Sequence, residues 1–198
     1  RAAALHIALE GGLARGYQSM GDAYLTGSKQ TAQLRAVGVD YFGRARSESI
    51  EMMESAEWLA KQPASEAFRL DIPPRTLEAV VFLEQARAGK PINHAQRAQA
   101  EQQEIWRGIQ ATAGALGGAG NSVEPAAFFL GAARELVEGV GLFGLDRLNE
   151  AQMTRLFYER SAGLARHAAQ LAQTKGDRRT QEEAEALIQR CQEALAKR

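Results

Sequence analysis

Asn93-His94-Ala95-Gln96 recurs as Asn149-Glu150-Ala151-Gln152, and Thr180-Gln181-Glu182-Glu183 repeats the spacing once more. In each, an oxygen-bearing side chain stands three residues before Glu or Gln. That spacing lets the two ends satisfy each other's orphan amides at a helix start. Glycine and proline cut the chain between these points, and sustained runs of alternating β-branched residues are lacking. The expected fold is all-α: a compact multi-helix bundle of about seven helices, in part built of helical hairpins.

Working outward, the first helix is expected over roughly Ala2 to Leu25, with breaks considered at Gly11-Gly12 or Gly16. Ser28 is the expected N-cap of a second helix reaching about Lys61, which Pro63 ends. A third runs from Pro74 to Ala88, and Gly89 with Pro91 terminates it. The fourth follows Asn93 and fades at Gly117-Gly118. The fifth, capped by Ser122 with Pro125 in its first turn, reaches about Phe143. The sixth covers Glu150 to Thr174, where Gly176 breaks it, and the last covers Gln181 to Ala196. A single helical domain over 1–198 is expected, with 63–73 the place where it would subdivide.

Two helices carry more information. Within 44–61, at about 100° per residue, Ala45, Ser49, Met52, Ala56, Leu59 and Ala60 share one face. Glu51, Glu54, Glu57 and Lys61 take the other, and Ile50 and Trp58 fall among these charges. In the fifth helix Arg134, Glu135 and Glu138 fill a narrow arc, and apolar residues cover most of the remainder. A helix apolar on most sides belongs in the middle of a bundle.

The charge balance narrows the partners. Lys plus Arg and Asp plus Glu both number 24, and the signs are spread evenly, so no segment carries the basic excess that tracking phosphates needs. Nucleic acid is not an expected partner. The most apolar long stretch, Ala126 to Leu145, is interrupted by Arg134, Glu135 and Glu138, so no membrane insertion is expected within these residues. The chain begins at Arg1. The compartment therefore stays open between the cytoplasm, the first expectation, and the destination of a signal or anchor removed upstream.

No reactive constellation emerges. His6, His94 and His167 are isolated, without the spacing of a metal site, and neither a metal nor another cofactor is expected. The glycine-rich run Gly114 to Ser122 has no following Lys and no preceding strand, so it reads as a connector and not a phosphate loop. Glu48, Glu51, Glu54 and Glu57 read as a solvated face. Tyr158, Glu159 and Arg160 are the candidates for a buried polar network, and Arg155 with Glu159 for a surface pair. Cys191, the single cysteine, reads as a packed thiol.

Two short stretches resemble known families. Tyr17, Met20, Gly21 and Tyr24 have a spacing similar to the first helix of a tetratricopeptide repeat, and Gly38, Phe42 and Ala45 resemble its second helix, about five residues late. Ala165, Ala169, Ala172 and Gly176, followed by Ala184, Ile188 and Cys191, echo the same shape. This resemblance implies peptide or partner binding in a helical groove. Ala23-Tyr24-Leu25-Thr26-Gly27-Ser28 resembles the turn after the first helix of four-helix sensory domains in bacterial membrane receptors. Neither assigns the chain to a family.

The expected function is a non-enzymatic interaction, scaffold or adaptor module. It would hold a protein partner or a second copy of itself, with Ile50 and Trp58 as contact residues. The alternative is a small-molecule-sensing helical domain with a cavity between its helices.

Overall fold

The computed structural model describes residues 2–26, 31–66, 68–70, 79, 83, 95–116, 122–142 and 151–197. Six helices account for most of these: α1 (Ala2–Thr26), α2 (Ala32–Ala60), α3 (Ala95–Ala115), α4 (Pro125–Leu142), α5 (Ala151–Lys175) and α6 (Arg178–Ala196). A 3-10 turn, Pro63–Glu66, leads from α2 to β1 (Phe68–Arg69), which pairs antiparallel with β2 (Ser122–Val123). The all-helical bundle is as expected. The seventh helix, Pro74 to Ala88, lies outside the described residues but for Ala79 and Leu83, both helical.

Helix α1 is continuous through every glycine in it. The expected break is corrected here, because these glycines make room and not turns. A Cβ on Gly12 would stand 2.3 Å from the Ile109 Cα, and one on Gly16 would stand 2.6 Å from the Ile105 Cα. From the other side, a Cβ on Gly108 would meet the Gly12 carbonyl oxygen at 2.4 Å. The α1 and α3 backbones thus run antiparallel in near contact, which only residues without a side chain permit. A second glycine pair, Gly21 and Gly38, brings α1 against α2, also antiparallel.

Helix α4 touches each of the other five helices. Phe128, Phe129, Ala132, Ala133 and Leu136 on it are fully enclosed. The β1–β2 bridge carries Phe68 onto its start, where the Phe68 and Phe128 rings meet edge to face at 4.7 Å. Ser122 is therefore a strand residue and not the expected cap. Helix α4 begins only at Pro125, where the missing proline amide costs nothing.

Two other starts also differ from expectation. Helix α2 is capped by Thr31, whose side chain accepts from the Leu34 amide at 3.3 Å, and not by Ser28. Helix α6 starts at Arg178, with Asp177 accepting from the Thr180 amide at 3.1 Å. The residue expected as the cap, Thr180, thus lies in the first turn. Gly176, at φ +72°, closes α5 as foreseen. The Asp177 amide reaches the Ala172 carbonyl and the Gly176 amide that of Gln173, a paired closure that satisfies the helix end. The α5–α6 hairpin thus turns on two residues. Asp177→Ala is expected to cost about 1 kcal/mol, read as a lower urea midpoint with an unchanged slope.

The tetratricopeptide spacing is not confirmed. Helices α1 and α2 have 25 and 29 residues, each approaching the length of a whole repeat of about 34. Tyr17, Tyr24 and Tyr41 instead form a stack between them, with ring centroids 6.2 and 5.6 Å apart. The Tyr41 hydroxyl donates to Glu101 on α3. Across the bundle, Arg15 of α1 forks onto Glu135 of α4, with Nε 2.5 Å from Oε2. These two acids, Glu101 buried and Glu135 partly so, tie helices together.

Candidate interaction site around Trp58

The face of α2 that packs inward is the one the wheel assigns: Ala45, Ser49, Met52, Ala56 and Leu59 are buried. Trp58 lies off that face and is 56% exposed. Its backbone is held firmly, since its carbonyl accepts from the Lys61 amide at 3.1 Å and from Gln62 Nε2 at 3.2 Å. The indole is thus a solvent-facing ring on a fixed stem. Ile50 is half-buried and packs against the core. It stands two turns from Trp58 along the helix, and the depression beside Trp58 does not include it.

That depression has a volume of about 330 Å³ and is lined by Ala3, His6, Glu54, Ser55 and Trp58. It opens where the start of α1 lies against the end of α2. Beneath it is Glu10, which is 3% exposed. His6 Nε2 stands 2.7 Å from Glu10 Oε1, one helical turn away. Glu10 Oε2 is buried without a hydrogen-bond partner. Burial drives the Glu10 carboxyl up to about 8; the Ser55 hydroxyl opposes this, and the neighbouring Glu51, Glu48 and Glu54 add to it. The group is therefore held protonated at neutral pH.

Glu48 corrects the solvated acidic face. It is 8% exposed, while Glu51 and Glu54 remain in water. Glu57 meets Arg160 of α5 at 2.8 Å. Arg160 is therefore turned outward to α2. Glu159 is exposed and pairs with Arg155 at 2.7 Å, the surface pair that the spacing implies. Tyr158 is half-buried. The structure does not bring Tyr158, Glu159 and Arg160 into one enclosed network.

Cys191 and His167 lie in packed surroundings. Cys191 is fully buried with its sulfur 3.7 Å from the Ser161 hydroxyl, which donates to the Ala133 carbonyl at 2.7 Å. Burial raises the Cys191 thiol above its ordinary range, the reverse of an activated nucleophile. His167 packs edge to face on Phe129 at 4.7 Å, and burial lowers its pKa. His94 lies outside the described residues. Among the described residues no group of His, Cys, Asp or Glu is placed to hold a metal, and no helix is long and apolar enough to cross a membrane.

A second depression, about 280 Å³, lies between Arg134 and Glu138 of α4 and Glu183 and Arg190 of α6. Its charges answer one another. Glu183 takes both Arg134, at 2.7 Å, and Arg179, at 3.0 Å, which holds its carboxyl below the usual range.

Periodicity marks Trp58 in the sequence, whereas His6, expected to stand isolated, is paired with Glu10, which the sequence patterns did not single out. The signal was available: a lone acid in Ala8-Leu9-Glu10-Gly11-Gly12-Leu13, with histidine one turn before it. Comparison of the chain with protein-family models, curated proteins and solved structures gave no match.

Proposed function

We propose that this chain is a helical interaction module that holds a protein partner, or a second copy of itself, on the surface around Trp58. The observation that carries this reading is the exposed indole on an anchored helix end. A tryptophan fixed by its backbone loses little freedom on binding and offers a large contact area, which is why such rings dominate the energetics of protein interfaces. The depression beside it gives a partner side chain somewhere to enter. Ile50, half-buried against the core two turns along the same helix, lies outside that depression.

The test is a selection of displayed peptides on the intact protein, counter-screened on Trp58→Ala, with sedimentation equilibrium of both chains alongside. Removing an exposed ring costs the fold little, within about 0.5 kcal/mol, so lost binding reports the surface and not unfolding. Selected peptides, or self-association, should weaken at least about tenfold. If Trp58→Ala leaves both unchanged, the surface is wrongly placed.

A further inference from the structure

The depression beside Trp58 has one carboxylate, Glu54, on its rim and the buried Glu10 carboxyl behind its His6 and Ser55 wall. Glu54 lines it, Glu51 stands one helical turn before Ser55, and Glu10 sits beneath His6 and Ser55. Among the described residues, the titratable groups that bear on Glu10 are His6 on its own helix and Glu48, Glu51 and Glu54 on α2. Neither lysine nor arginine is among them. Glu10 Oε2 is enclosed and has no hydrogen-bond partner. Glu10 thus lies with one oxygen unanswered under an opening edged by Glu54 and an indole face, surroundings that favour positive charge.

We infer that the Trp58 depression receives a cationic side chain of the partner, a lysine ammonium or an arginine guanidinium, stacked on the indole and facing Glu54 and Glu10. The inference rests on the docking reading above and names what the partner must present. Both halves of the site favour a cation. The indole face attracts one through its quadrupole, and the acids attract one through charge. The same cation makes ionisation of Glu10 easier, so its arrival weakens the hold of Glu10 on its proton. By linkage, the cation then binds more tightly as pH rises through the range in which free Glu10 titrates.

The experiment uses tetramethylammonium, whose charge does not vary with pH, and neopentyl alcohol, its neutral counterpart of similar shape. Binding is followed by the indole N–H resonance of Trp58 in the full chain, with Trp106→Phe fixing the assignment. Tetramethylammonium should shift that resonance saturably and bind at least about fivefold more tightly than the alcohol. Its affinity should rise severalfold from pH 6 to pH 9 in the native chain and in His6→Asn, and stay level in Glu10→Gln. Equal response to the two probes would overturn the cation preference while leaving Trp58 as a docking surface. No response to either would overturn it as well, and the peptide selection then decides the docking reading by itself. A pH rise that survives in Glu10→Gln would remove Glu10 from the site.

Discussion

Gly12→Ala should destabilise the fold by about 3 kcal/mol, the upper part of the range for overfilling a packed interface. A single methyl group has that effect because of where it lands. The new Cβ would stand 2.3 Å from the Ile109 Cα and 2.6 Å from its Cγ1. Neither is the free end of a flexible side chain, so the two helices must separate along their seam. Gly163→Ala is the control. Gly163 is exposed in the middle of α5, with nothing within 4 Å of an added Cβ. There alanine should stabilise the chain by about 0.5–1 kcal/mol, because glycine loses more backbone freedom on folding. In a chain of this length the Gly12 loss corresponds to a melting point lower by about 6–12 °C. Gly12→Ala melting with the native chain would mean that α1 and α3 do not cross at this seam.

The same contrast shows why the all-helical fold was legible and the helix ends were not. From one sequence, glycine signals both freedom of φ and the absence of a Cβ, and the two have opposite structural consequences. Gly176 follows the polar run Gln173-Thr174-Lys175 and takes φ +72°, ending a helix. Gly12 lies between apolar residues, four positions before Gly16, and passes through the middle of one. Only the neighbouring helix, invisible in the sequence, makes the difference. Caps are ambiguous for a related reason. Asp177 and Thr180 both offer an oxygen to an amide three residues on. Asp177 prevails because Gly176 has already turned the chain there. Ser122 has a capping side chain too, but its backbone is committed to Arg69 across the bridge.

The site was legible to the extent that periodicity could place it. A step of about 100° per residue put Trp58 off the packed face of α2, and it is exposed. The four glutamates of that helix were judged by spacing alone, and spacing contains the error. Steps of three turn back about 60° each, so Glu48 to Glu57 sweep half the helix circumference and cannot all face water. Glu48 is the one that turns inward. The place of Glu10 needed tertiary information, because its surroundings come from Glu48, Glu51, Glu54 and Ser55 on another helix.

Glu10 makes the stability of the fold fall as pH rises, and Glu10→Gln should abolish that fall. In the unfolded chain the carboxyl has its ordinary pKa of 4.5, and in the fold about 8. Between these values the folded chain keeps a proton that the unfolded chain has released. Fewer protons on the unfolded state mean that stability declines with increasing pH. The decline therefore begins near pH 5 and levels off above pH 8, where the folded carboxyl also ionises. Every tenfold difference in proton affinity between the two states is worth about 1.4 kcal/mol, so the full loss is on the order of 5 kcal/mol, of which about 4 falls between pH 5 and pH 9. His6 offsets little of it: its side chain is 62% exposed, and water screens any charge it carries. Glutamine keeps the shape and cannot ionise. At pH 5 it should be slightly worse than the native residue, by about 1 kcal/mol, since its amide is not fully hydrogen-bonded there. At pH 9 the order reverses, and Glu10→Gln should be more stable by about 2–3 kcal/mol. Urea midpoints at pH 5, 7 and 9 decide it. Parallel lines for the two chains across that range would mean that Glu10 is not the buried acid that the fold makes it.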